Sequence, residues 1–265
     1  MFAREISPWS DAGVSESVGF MIIFTIIITG IALVTLYGYP VLLQQQSSAN
    51  EQVMEKNMIV LQNDLKSLSY SMDPYSETSL SIGGGTLFVY NESYSLSPAN
   101  FTVACHNGGS VFTPLPPNST GKIEYASLDA QTDIALENGA VVLRMTTING
   151  SAMLAQPRWF YDGPTNTAAI YLISFTTASP MARSGIGTVS MERGNSNYSS
   201  LQVPARTTCT VSYTPDSTDD YSVAWNNYFA TTFFPPTLPG VYPLLDPTRN
   251  GQIVIYQDTI EVKSV

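Results

Sequence analysis

The sequence predicts an α+β protein: one long N-terminal helix, first apolar and then amphipathic, followed by a β-rich, sandwich-like domain with one short helix in its C-terminal half. Three observations carry this. Residues 18–39 hold no charged side chain, and about 20 such residues in a helix cross the hydrocarbon core of a bilayer. Met54, Met58, Leu61, Leu65, Leu68 and Met72 then recur at alternating steps of four and three, which places them on one face of a helix. Beyond Pro74 the pattern changes to short runs rich in Val, Ile, Thr and Tyr, separated by Gly, Pro, Asn and Asp, as strands joined by turns require.

Taken in order, a polar leader containing Arg4, Glu5 and Asp11 precedes the apolar run. A discarded secretory signal would have a basic leader and a shorter apolar core of about 7–15 residues, so the small triplet Ser47, Ser48 and Ala49 is disfavoured as a cleavage site. Gly19, Gly30 and Gly38 suit a membrane helix that neighbours approach closely. Pro40 lacks an amide hydrogen, and with Gly38 and the "QQQSS" patch it is expected to interrupt the helix. The Met/Leu stripe that follows has two expected uses, packing on the chain's own globular part or assembly with other copies. Glu51, Glu55, Gln62, Asp64 and Lys66 are placed on the other faces. Asp73-Pro74 ends the helix, because Pro disfavours helical geometry in the residue before it.

In the globular part, "TSLSI" and "TLFVYN" flank Gly83, Gly84 and Gly85, a hairpin or a bulge. The glycines lack the Lys-Ser/Thr that a phosphate-cradling loop needs. "TDIAL" and "AVVLRMTT" flank Asn138-Gly139, the signal of a tight primed hairpin. Further strands are expected at "FTVAC", "KIEYA", "AAIYLISF", "GTVSM", "TTCTVSYT" and "GQIVIYQDTIEVK". In "DSTDDYSVAWNNYFATT", Ser217 or Thr218 can cap a helix with Asp219 and Asp220 in its first turn, and Tyr221, Trp225 and Tyr228 or Phe229 on one face. That face is expected on the sheet; carbohydrate binding by Trp225 is the lesser alternative.

Composition narrows the function. Only 12% of residues are charged, and Ser and Thr together number 56 of 265, where a typical domain carries about 25% charge. A net charge of −10 with four lysines argues against nucleic-acid binding, which needs clustered cations. Cys105 and Cys209 belong to no CxxC pair, and in an oxidising exterior they can form a disulfide; two separate buried thiols fit equally. Asn91, Asn100, Asn118, Asn149 and Asn197 each open an Asn-x-Ser/Thr sequon, which favours an exported C-terminal domain with candidate N-glycosylation.

No catalytic constellation is legible. There is no GxSxG or HExxH, and the single histidine, His106, reads as a turn residue. Asp216, Asp219 and Asp220 are explained by helix capping, and "DPTRNG" at residues 246–251 lacks the ligands of a calcium loop. No enzyme, metal or cofactor is expected.

The stretch "GVSESVGF", residues 13–20, followed at once by an apolar helix, resembles the N-terminus of archaeal type IV pilin-like proteins. A narrower resemblance is to an uncharacterised archaeal pilin-like group with a VSETIGF-type start, to which "SLSIGGGTLFV" and "AWNNYF" are also similar. The resemblance implies cleavage by a prepilin-type signal peptidase between Gly13 and Val14, with the apolar helix retained for assembly. Archaeal leaders often place Lys or Arg before the terminal Gly, where this chain has Ala12. It also implies an assembly role for Glu16, Gly19 and Phe20. Glu16 has two readings: pairing with the new N-terminal ammonium of a neighbouring subunit, or a first-turn acid at headgroup level with Ser15 as cap.

The expected organisation is therefore a cleaved leader (1–13), a transmembrane helix (14–43), an amphipathic helical stalk (44–73) and an extracellular β-rich domain (74–265). The expected function is structural: a pilin-like subunit or minor pilin in the cell membrane or an extracellular filament. Its expected partners are membrane lipid, the prepilin-type signal peptidase, and copies of itself or other pilin-like subunits. The alternative is an unprocessed, membrane-anchored extracellular binding module.

Overall fold

The computed structural model describes residues 12–71, 73–91, 98–128 and 131–265. Most of the expected leader and Met72, the last residue of the stripe, lie outside the described residues, as do Glu92 and Ser93 of the first sequon. By contacts the chain divides into two units, residues up to Ser48 and Ala49–Val265. Its architecture is α+β, as the patterning predicts.

The first unit is helical. Helix α1 (Ala12–Leu33) is followed by a π-helical segment (Val34–Gly38) and the opening turns of α2 (Tyr39–Tyr70). Pro40 and the "QQQSS" patch are therefore helical, and the expected interruption is corrected to a wider turn: the Tyr39 amide donates five residues back, to Val34 O. A π-turn of this kind lets a helix carry a residue that cannot sit in regular i→i−4 bonding.

In the second unit α2 packs on a large mixed sheet. The sheet has nine strands in the order β7-β6-β5-β4-β1-β10-β13-β9-β8. Its members are β1 (Tyr75–Tyr90), β4 (Lys122–Ser127), β5 (Thr132–Glu137), β6 (Ala140–Met145), β7 (Ser151–Ala155), β8 (Phe160–Asp162), β9 (Thr167–Thr176), β10 (Met181–Val203) and β13 (Gly251–Ser264). A second sheet, ordered β12-β11-β2-β3, comprises β2 (Asn100–Asn107), β3 (Ser110–Ser119), β11 (Thr208–Thr214) and β12 (Val241–Pro243). His106 lies within β2, paired with Thr208 and Val111, rather than in a turn.

Two cores follow from strand alternation. Ile134 and Leu136 of β5 join one, and Ala135 joins the other. The first core receives α2: Met54, Met58, Leu61, Leu65 and Leu68 are all 0% exposed. The stripe is thus used on the chain's own sheet, and from Ala49 onward the expected stalk is part of the globular unit. Gln62, expected on an outer face, is also buried; its amide donates to Gly139 O at 2.7 Å and Gln156 O at 3.0 Å. The second core lies between the large sheet, the small sheet and α3 (Ser222–Thr232), and holds Phe101, Trp159, Trp225 and Phe229.

The three consecutive glycines resolve as a bulge inside β1, with the register against β10 shifting between Ile82 and Leu87. The shift explains a change of parity: Leu80 and Ile82, then Leu87 and Val89, all enter the same core. A Cβ on Gly83 would sit 2.7 Å from Asn50 Oδ1 on α2, and one on Gly85 would sit 2.4 Å from Ala126 O. The glycines are there because helix and neighbouring strand approach closely. Asn138 (φ 48°) and Gly139 (φ 71°) form the tight turn between β5 and β6.

Candidate functional site

The candidate functional residues fall in two places, and the predicted assembly residues in the first of them. Gly13, Val14, Glu16, Gly19 and Phe20 all lie in α1. Glu16 is exposed and is the only charged residue between Asp11 and Glu51. The large apolar side chains from Val18 to Leu43 are 45–69% exposed. A Cβ on Gly19 or Gly30 would meet nothing within 4 Å. Phe20 stacks on Phe24 at 6.0 Å, one turn along. The Thr25 and Thr35 hydroxyls donate to the carbonyls of Met21 and Ile31, at 2.7 and 2.9 Å, which satisfies these polar groups without water, as lipid demands. Among the described residues one helix is long and apolar enough to cross a membrane, and this is compatible with membrane anchoring.

Cys105 and Cys209 are bonded to one another and fully buried, at facing positions of β2 and β11. Asn149 and Asn197 are exposed, whereas Asn91, Asn100 and Asn118 are partly buried.

The second place is a charged network that the sequence did not announce. Lys122 and Glu124 alternate on β4; Asp133 and Glu137 lie on β5 and Arg144 on β6. Register pairs Lys122 with Glu137 and Asp133 with Arg144, so these side chains gather on the face toward α3. Asp219 enters from the preceding loop. Lys122 Nζ lies 2.9 Å from Glu124 Oε2 and 2.6 Å from Asp219 Oδ2. Arg144 Nη2 reaches Asp219 Oδ1 at 2.7 Å and also pairs with Asp133. Asp219 thus bridges two cations and is not in the first turn of α3, correcting the expected cap; the helix begins at Ser222, whose amide donates to Asp220 Oδ1.

Electrostatics follow from burial and pairing. Burial alone would pull Lys122 down, but Glu124 and Asp219 outweigh it and hold the ammonium above its ordinary range. Burial would raise Asp219, yet Lys122 and Arg144 together bring it below the usual carboxylate range. Glu137 has no such cation in contact. Burial pushes it up to about 7, against hydrogen bonds donated by Trp225 Nε1 at 2.7 Å and Tyr213 Oη at 3.1 Å. Tyr221 Oη donates to Glu124 Oε1 at 2.6 Å. Glu124, Asp133 and Asp219 are close enough to share a metal ion, but Lys122 and Arg144 occupy the positions a cation would take. The arrangement fastens the loop before α3 to the sheet.

An exposed apolar helix in one unit and a disulfide-bonded, two-sheet domain in the other define the class: an α+β protein with one candidate membrane anchor among the described residues. The chain belongs to a family of unknown function, DUF7289, which it matches over residues 13–239. No curated protein and no solved structure matches it.

Proposed function

We propose that the protein is a type IV pilin-like structural subunit or minor pilin, cut after Gly13 and held in the membrane, or in a filament core, by its N-terminal helix. The observation that carries this reading is the contrast between the two stretches of apolar sequence. The stripe beginning at Met54 is buried on the chain's own sheet, whereas the side chains of residues 18–43 are exposed to whatever surrounds them. Covering each such side chain contributes roughly 1.5–3 kcal/mol, so lipid or neighbouring helices must cover this segment. The "GVSESVGF" resemblance favours neighbouring helices, and the family match opens at Gly13, the residue just before the proposed cut. Prepilin-type signal peptidase, membrane lipid and pilin-like subunits are the partners, and the β domain lies outside the cell.

Within this reading Glu16, third residue after the cut, pairs with the N-terminal ammonium of an adjacent subunit, because an unpaired carboxylate near lipid is costly. Immunogold electron microscopy of sheared surface fractions tests the proposal. Labelled filaments, or labelled filament ends, are expected from cells carrying the natural chain. Glu16→Gln is expected to leave the protein in the membrane fraction while the label disappears from filaments. Label confined to the membrane of natural cells contradicts assembly and favours the unprocessed binding module.

A further inference from the structure

At the C-terminal end of α2 the second unit carries a cleft of about 310 Å3. Three neighbouring strands contribute to it. Tyr171 of β9 faces Tyr256 of β13, and Tyr256 faces Tyr198 of β10, so the tyrosines stand in one row on one face. Tyr171 and Tyr256 stack at 4.5 Å with their planes 9° apart, and Tyr198 meets Tyr256 at 5.0 Å. Tyr70, the last residue of α2, contacts Tyr171 edge-on at 5.3 Å. Rings stacked in this way cover each other's faces and leave edges and hydroxyls for a ligand.

Two further groups have hydrogen-bonding capacity that no described residue meets. The Arg158 guanidinium lies 4.3 Å from the centre of the Tyr70 ring and 5.1 Å from that of Tyr171. It is exposed, and among the described residues no hydrogen bond or ion pair engages its donors. The neighbouring Arg193 differs: it donates to Ser196 Oγ and Ser71 O and faces Asp258 at 3.5 Å. Asp258 also accepts a hydrogen bond from Ser196. The uncompensated charge of the cleft is therefore the cation of Arg158, in a chain of net charge −10. Ser69, also on the wall, is 3% exposed and its hydroxyl has no hydrogen-bond partner. A buried hydroxyl without a partner is destabilising, and a ligand that hydrogen-bonds to it recovers that cost.

We propose that this cleft binds an acidic saccharide, its carboxylate or sulfate on Arg158 and its hydroxyls on Ser69 and the tyrosine edges. Arg158 supplies a planar fork suited to either anion, pre-oriented by the rings it stacks on. A row of amphipathic phenols suits a ligand with both C–H faces and hydroxyls, where a bare anion would use the arginine alone. The volume, at the low end for small-molecule clefts, holds about one or two sugar rings. The inference rests on the β domain and stands whether or not the N-terminal helix assembles.

The test uses the full chain in detergent micelles, produced without N-glycosylation because Asn197 lines the same cleft. Trigalacturonate, a sulfated trisaccharide, neutral galactotriose and sodium sulfate are titrated by calorimetry and tyrosine fluorescence. Saturable binding of at least one acidic trisaccharide is expected, with galactotriose about tenfold weaker or more. Arg158→Ala is expected to weaken that binding about tenfold, Arg158→Lys less, and Ser69→Ala about threefold. Far-UV circular dichroism and the urea midpoint of each variant should match the natural chain, since Arg158 is exposed and Ser69→Ala removes an unpartnered hydroxyl. No acidic probe binding up to about 10 mM overturns the proposal. So does undiminished binding to Arg158→Ala, equal affinity for galactotriose, or sulfate alone matching the saccharides.

Discussion

Glu137 is a carboxyl whose chemistry lies well away from its usual behaviour. It is 2% exposed, and its carboxyl accepts hydrogen bonds from Trp225 and Tyr213. With a folded pKa near 7 against an ordinary 4.5, the native chain keeps a proton that the unfolded chain releases between those values. This contribution is full below about pH 4.5 and is lost as pH rises to about 7, amounting to roughly 3 kcal/mol. Glu124, also raised by burial, acts in the same direction. Asp219 has the opposite sign: its folded pKa is depressed, so its contribution is lost only as pH falls below the ordinary carboxylate value, outside this window. Urea denaturation of the β domain between pH 4.5 and 7 should therefore show falling stability in the natural chain and a flatter profile in Glu137→Gln. Nothing in "TDIALENG" marked this glutamate; its place at the end of a strand beside a tight turn reads as solvent-facing. Only the register with Lys122 and the arrival of Trp225 from 88 residues away make it buried.

At the scale of elements, α2 shows what periodicity can and cannot say. The steps of four and three identified the buried face residue by residue, but they fit a partner helix as well as a sheet, because both accept the same stripe. Leu61→Ala should cost about 2–5 kcal/mol in the β domain's unfolding, whereas Val60→Ala, one position round and 49% exposed, should change it by less than about 0.5 kcal/mol. Gln62 was misplaced for a physical reason: a buried amide is acceptable when its donors are met, and Gly139 O and Gln156 O meet them. Strand β3 was missed because Pro114, Pro116 and Pro117 read as loop; it lies at the edge of its sheet, where Pro is tolerated. Most of β10 was missed as well. Only "GTVSM" has a strand pattern, and the remainder is polar and interrupted by the Gly194 bulge, held instead by backbone pairing with β13. The Cys105–Cys209 bond joins β2 to β11 across 104 residues of sequence. Removing it with a double Cys→Ser change should lower the stability of the β domain by about 2–5 kcal/mol, read as a lower denaturant midpoint.

For the whole molecule, the fold class was legible because each half of the chain has its own period: near 3.6 before Asp73 and near 2 after Pro74. The division between units was less legible. The end of the apolar stretch suggested a boundary near residue 43 and the stop signal another at 73, yet the packed unit begins at Ala49, because sheet contact and not hydropathy sets it. The helix ahead of that point keeps its large apolar side chains exposed among the described residues. A retained helix freed of its leader is an assembly element; a helix still carrying the leader is an anchor. The mass of the N-terminal peptide from protein purified out of its own membranes separates these directly. A chain beginning at Val14 is expected. A chain still beginning at Met1, or one beginning after Ala49, would contradict it.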